Sequence, residues 1–353
     1  MDFGIMTAKI DEIGYITHAE NLGYTRCWVT DSPIIRSNCW AVLALAAQAT
    51  RTMRLGTGVN VPALRLAPAA ANGIATINRL APGRCFIGFG TGHTGLRLLG
   101  RKPMRLAPFR EYVEVVRKLL RGEEVDYTLE GESHPIRFQM REHRFIDLDH
   151  PIPVYIAGFG PRAQALAGEI ADGLISGLPR GGTLPEMLAH ARRGAARAGR
   201  ALPADFDTSA MLTLVMREPR EALDSPRIVA ECGAAVLSNL HYLVAEHLET
   251  GKEPPTYARG IWKTYLDWLN EASPTVRHQR LHGSHYSFLD PDEARFLTAD
   301  LIRGTCLSGT PEELVEQVRE LERHGLRAIM LYPPLNQQYR VIEDFAERVM
   351  ARL

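Results

Sequence analysis

Gly158-Phe159-Gly160-Pro161 lies between a strand-like run, Pro153–Ala157, and a helix-like run, Ala163–Ile170. Two glycines at such a junction let the backbone approach something closely, and the start of a helix favours an anion. A phosphate fits, and backbone N–H groups can hold it without any lysine. A tight strand-to-helix turn explains the same glycines, and the loop is not a full Gly-x-Gly-x-x-Gly fingerprint. His93 follows Gly90-Thr91-Gly92 at another strand end. An imidazole there could move a proton near neutral pH. Asp31 closes a third strand, either facing a ligand or capping the loop behind it. His278, His282 and His285 cluster in HQRLHGSHY. Lacking an acidic partner or a firm helix, they read as solvated histidines of a lid and not as a metal site. On that reading His285 and Tyr286 become substrate contacts.

These residues need a frame, and the chain supplies an alternating one. Strand-like runs occur at Phe3–Met6, Arg26–Thr30, Arg54–Val61, Arg84–Gly90, Val154–Ala157, Leu174–Ser176, Thr208–Met216 and Ala328–Tyr332. Helix-like runs separate them, among them Lys9–Leu22, Asn38–Thr50, Pro68–Leu80, Phe109–Arg121, Leu184–Ala198 and Thr310–His324. In the last, Thr310, Pro311 and Glu313 form a capping box with proline at the first helical position. Asp126–Asp149 breaks the rhythm as a hairpin-like excursion, and residues 225–303 break it again as a helical insertion. Eight repeats predict an α/β fold, a (β/α)8 TIM barrel forming one domain over residues 1–353, with 225–303 as an insertion or lid before the last strand. The C-terminal strand ends would then carry the site. They hold Asp31, Thr57-Gly58-Val59-Asn60, Gly88–His93, Ala157–Gly160, Ser176-Gly177 and Tyr332.

Lys+Arg and Asp+Glu both number 41, which gives no electrostatic reason to expect nucleic acid or an anionic membrane as partner. No bilayer-spanning stretch or signal peptide stands out, so a cytoplasmic protein is expected. The five cysteines are scattered and include no Cys-x-x-Cys, which speaks for reduced thiols and against a disulfide framework or zinc site.

LGTGVNVP, GRCFIGFGTG, PVYIAGFGPRAQALAGEIADGLI and SGTPEELVEQVRELERHGLRAIMLY, in that order, resemble the luciferase-like flavin oxidoreductases. The third motif looks most like the methylene-tetrahydromethanopterin reductase branch. The resemblance spans about residues 1–216 and 304–353 and leaves the insertion unplaced. It implies a cofactor phosphate at Ala157, Gly158, Phe159 and Gly160, with Ser176 and Gly177 nearby. It also implies a cofactor ring near Thr57, Gly58, Val59, Gly90 and Thr91, with a non-proline cis peptide at Gly58-Val59. His93 stands where similar F420 sugar-phosphate dehydrogenases carry a proton-handling glutamate. Ser32 departs from the pattern, since many relatives read a histidine after the aspartate.

The resemblance therefore implies a monooxygenase that uses reduced FMN and O2 on a small organic substrate, with a separate flavin reductase as a possible partner. His93 and Asp31 are its expected catalytic residues, and Tyr332 joins His285 and Tyr286 as a substrate contact. One alternative is an F420-dependent reductase or dehydrogenase that passes a hydride. Another is a flavin-binding barrel without turnover. Relatives commonly pair through early helices, so a homodimer through Asn38–Thr50 and Pro68–Leu80 is expected. Gly158→Val is expected to remove the cofactor and leave the barrel folded.

Overall fold

A computed structural model describes residues 1–178 and 182–353. Eight strands close a parallel barrel in the neighbour order Asp2–Thr7, Ala328–Leu331, Asp207–Leu212, Gly173–Gly177, Val154–Ala157, Cys85–Phe89, Arg54–Asn60, Arg26–Val29. These are the eight runs expected from the sequence. Their near-continuous burial is what a parallel sheet covered on both faces requires. The hairpin is present as the antiparallel pair Val125–Leu129 and Glu132–Ile136. Its two-residue turn, Glu130-Gly131, has positive φ at both positions, the backbone that a tight hairpin demands. The seventh strand is shorter than expected. After Leu212 the chain leaves the barrel, and Leu214–Met216 pairs in parallel with Leu307–Gly309.

The chain divides into two compact units. The first comprises Asp2–Ser176 and Pro185–Ser209. At the N-terminal strand ends of this unit, Arg26 clasps Asp2 at 2.8 Å and Asp207 at 2.5 Å. The Tyr155 hydroxyl donates to Asp207 at 3.2 Å and accepts from Arg54 at 2.8 Å. Each buried charge here has an opposite charge and further hydrogen bonds, the condition under which burial of ions is tolerated. Two helices expected as dimer surfaces, Cys39–Ala49 and Ala67–Leu80, pack on each other where Gly73 admits the Trp40 ring. They leave Leu45 and Leu80 exposed.

The second unit comprises Met1, Gly177–Leu184 and Ala210–Leu353. Its centre is the helix Pro226–Thr250, begun by the Ser225 side chain and ended by Gly251 in the left-handed region. Val236, Leu240 and Val244 from this helix join Tyr265, Trp268 and Phe296 in one core. Burial of each such side chain contributes about 1.5–3 kcal/mol. This helix is long and apolar enough to cross a membrane by length and composition, contrary to the sequence reading, and 67% of its most apolar window is buried in the protein. Thr310 and Glu313 make the expected capping box at the start of Pro311–Arg323.

Candidate functional site

In the first unit the expected cofactor residues gather at C-terminal strand ends. Gly58-Val59 is a non-proline cis peptide, as the resemblance implied. It lies in a bulge of the third strand, where the register shifts between Thr57 and Asn60. The bulge presses on the fourth strand, since a Cβ on Gly90 would come within 2.5 Å of the Val59 side chain. Thr57 is fully buried, and its hydroxyl donates to the Gly88 carbonyl at 2.8 Å and accepts from the Gly88 N–H at 3.1 Å. Thr57 therefore ties two strands together beneath the accessible Gly58, Val59 and Thr91.

The glycine loop resolves into two different glycines. A Cβ on Gly158 would meet the backbone N of Gln164 at 2.9 Å, so this glycine lets the strand pack against the following helix. Its N–H donates to the Ile175 carbonyl at 2.9 Å, and its carbonyl accepts the Ser176 hydroxyl at 3.0 Å. Gly158 and Ser176 thus build the turn, and Gly158→Val would disturb folding, contrary to the sequence expectation. Gly160 is the opposite case. Its backbone is extended (φ −114°, ψ 161°), which any residue adopts, and a Cβ there would meet nothing within 4 Å. It caps the helix Pro161–Ile170 without any side-chain hydrogen bond. The first-turn N–H groups of such a helix have no carbonyl of their own to bond. Neither packing nor backbone conformation calls for glycine at 160, which is exposed at the start of the helix. Ala157 and Phe159 are partly accessible beside it, while Gly177 belongs to the second unit.

Asp31 is buried and engaged. Its carboxylate accepts from Asn60 Nδ2 at 3.1 Å, from the Val61 N–H at 3.3 Å, and from both terminal nitrogens of Arg65. Burial opposes the Arg65 charge, but the hydrogen bonds and charge of Asp31 outweigh it and raise the Arg65 pKa. A carboxylate filled by four donors suits a bracing role for Asp31. Sequence reasoning missed Arg65, which no spacing signal connects to Asp31. Beside this brace, Asn60 Oδ1 is buried without a hydrogen-bond partner, as is Thr30 Oγ1 at the neighbouring strand end. Unpaired acceptors of this kind call for a polar ligand or water.

His93 is exposed at the start of a short helix, His93–Arg97, that the sequence reading left as loop. Arg97 Nη1 lies 2.6 Å from its Nδ1. Arginine only donates, so Nδ1 accepts and the neutral ring carries its proton on Nε2. His93 is thereby oriented as an Nε2–H donor.

In the second unit, Tyr286 stacks on Tyr332 with ring centres 5.1 Å apart and planes at 18°. His285 is buried against Tyr242, whose hydroxyl lies 3.2 Å from its Nε2. The solvated reading of the histidine cluster fails for His282 and His285, which are 0% and 6% exposed. Their third companion is His241, from the long helix, and not the half-buried His278. The acidic partner missing from the sequence stretch is Glu293, 2.7 Å from His241 Nε2.

Comparison with known proteins adds a lineage. Residues 8–328 match the family described as luciferase-like monooxygenase. The chain is 28% identical over 328 residues to 5,10-methylenetetrahydromethanopterin reductase of Archaeoglobus fulgidus, covering 91% of this chain and 89% of the relative. It is 29% identical over 365 residues to F420-dependent glucose-6-phosphate dehydrogenase of Beutenbergia cavernae, covering 98% and 94%. Among solved structures, it is similar to the coenzyme F420 dependent tetrahydromethanopterin reductase of Methanopyrus kandleri, with a TM-score of 0.67, 21% identity and 99% of each chain covered.

Proposed function

The chain belongs to the luciferase-like monooxygenase family and is an oxidoreductase; from that premise we propose that it binds the deazaflavin F420 and reduces or oxidises a small organic substrate. The exposed Gly160 at the start of the helix Pro161–Ile170 supports the cofactor part of this reading, because a helix N-terminus favours an anion such as a phosphate. The accessible Gly58-Val59 backbone would border such a cofactor at the third strand end. The choice of F420 rests on the sequence relatives, one of which carries F420 in its name and matches nearly the whole chain.

When bound, such a cofactor supplies a hydride donor or acceptor, and the protein supplies its placement. Gly160 and the first turn of the helix Pro161–Ile170 would hold a phosphate through backbone N–H groups and the helix dipole. Val59 would back the ring of such a cofactor. The Asp31–Arg65 brace holds the Asn60 amide in place through Nδ2. His93, with its proton on Nε2, donates a hydrogen bond to a substrate oxygen at the rim. Tyr332 and Tyr286 form an aromatic pair within the second unit.

A second reading, reduced FMN with O2, is favoured by the family's description as monooxygenases and by Ser32, which replaces the histidine expected of hydride-transfer relatives. In that case a separate flavin reductase would supply the reduced cofactor. Homodimer formation through Cys39–Ala49 and Ala67–Leu80 is part of either reading.

Equilibrium binding of F420 and of oxidised FMN to the purified protein, followed by absorbance, tests the choice. Tighter F420 binding is expected. A preference for FMN moves the assignment to the oxygen-dependent reaction, and binding of neither overturns both.

A further inference from the structure

We propose that His241, His282 and His285 form a binding site for one divalent transition-metal ion, of which zinc is the best match, within the second unit. The proposal does not depend on the cofactor reading.

All three rings are buried, and one nitrogen from each lies within 4.8 Å of the others. Zn–N bonds of about 2.0–2.1 Å in a tetrahedral site place ligand nitrogens about 3.3 Å apart, so the rings need to close by at most about 1.5 Å. Small side-chain rotations supply that. The rings stand edge to face, with centres 6.0 Å apart for His241 and His282 and 5.7 Å for His282 and His285.

The surroundings orient the ligands as metal-binding histidines are usually oriented. His241 Nε2–H donates to Glu293 Oε1 at 2.7 Å, which leaves the lone pair on Nδ1. That Nδ1 is buried and makes no hydrogen bond. Glu293 is itself fixed, accepting from Tyr265 at 2.6 Å and from Ser284 at 3.3 Å. His285 has an outer partner as well, with the Tyr242 hydroxyl 3.2 Å from its Nε2. Three neutral imidazoles suit zinc, nickel, copper or cobalt, and offer nothing that calcium or magnesium prefers.

The ligands come from separate pieces of the insertion. His241 lies on the helix Pro226–Thr250, His282 ends the helix Arg277–His282, and His285 sits in the turn that follows. A metal would pin that turn to the long helix. The next residue, Tyr286, has φ 59°, a conformation rare for a bulky side chain. Its N–H donates to Ser238 on the long helix at 2.8 Å, and its ring stacks on Tyr332. The ion would therefore order the aromatic pair at the end of the last barrel strand.

The test uses the whole chain, freed of metal by chelation and dialysis and carrying no cofactor. It is titrated with Co²⁺ and then with Zn²⁺. One equivalent of cobalt per chain should give a visible ligand-field spectrum, and zinc should abolish it. Glu293→Gln should weaken zinc binding by about ten- to a hundredfold, and His282→Gln by at least as much, while His278→Gln leaves it unchanged. Circular dichroism checks that each variant is folded, and the wild-type titration needs no variant. A wild-type chain that gives no stoichiometric cobalt spectrum overturns the site, as does a folded His282→Gln variant with undiminished zinc affinity. Failure of flavin or F420 binding leaves these readings untouched.

Discussion

Arg65 grips Asp31 with both terminal nitrogens, Nη2 donating to Oδ1 at 3.1 Å and Nη1 to Oδ2. The pair joins the end of the second barrel strand to the segment after the third. Asp31→Asn would leave a partly buried guanidinium without its counter-charge. It should lower stability by about 2–4 kcal/mol in urea unfolding, and Asp31→Asn combined with Arg65→Met should cost less than the sum of the two single changes. Additive costs would remove the pairing argument.

Gly160→Val should leave the thermal midpoint close to wild type, because its side chain points into open space. Affinity for the phosphate-bearing cofactor should fall at least tenfold. Gly158→Ala should do the reverse, lowering stability first, because its Cβ meets helix backbone. Calorimetry and cofactor titration on the two variants separate a ligand cradle from a mere turn.

His93→Ala should reduce turnover by about a hundredfold, the usual cost of losing one hydrogen-bond donor to a developing charge. Cofactor affinity and melting temperature should hold, since the ring is exposed. Arg97→Met should lower turnover too, because it frees Nδ1 and lets the ring turn its lone pair to the substrate. Turnover unmoved by Arg97→Met would dismiss the tautomer argument.

Hydrogen bonds from Arg227 hold the Glu221 carboxyl down at about 2, against an ordinary 4.5. The folded pKa is the lower one, so the pair stabilises fully above about pH 4.5 and loses its effect as pH falls toward 2. The stability gap between wild type and Glu221→Gln should therefore be wide at neutral pH and narrow through that window. Urea titrations across the acid range read it directly.

Burial pushes the Cys39 and Cys85 thiols up to about 12, and all five cysteines are free and buried. Native protein should be inert to a thiol reagent near neutral pH, and five thiols should titrate once it is unfolded. Fast labelling of the native chain would contradict the packing around these residues.

The barrel was legible because its signals are local. Alternating apolar runs mark the strands, and Thr310 with Glu313 announces a helix start within four residues. The Gly158-Phe159-Gly160 loop was visible too, but its division of labour was not: which glycine packs and which stays open depends on the helix that follows. Arg65 and His241 were invisible for another reason. Their partners are distant in the chain, Glu293 lying 52 residues beyond His241, and no spacing rule reaches across an irregular insertion. The histidine stretch was read as solvated because its acidic partner lay elsewhere. Only folding brings Glu293 and His241 together.

The charged clasp of Arg26, Asp2, Asp207, Tyr155 and Arg54 sits at the strand ends away from Asp31, Asn60 and His93. It fastens five of the eight strands without using any residue of the site. Closure and chemistry are thus written in different parts of the text. A randomised library confined to Ser32, Thr91, His93 and Phe159 should keep its fold in most members, whereas one at Arg26 or Asp207 should yield few soluble chains. For anyone wishing to redirect this enzyme to a new substrate, the molecule already separates the page that can be rewritten from the binding that holds it.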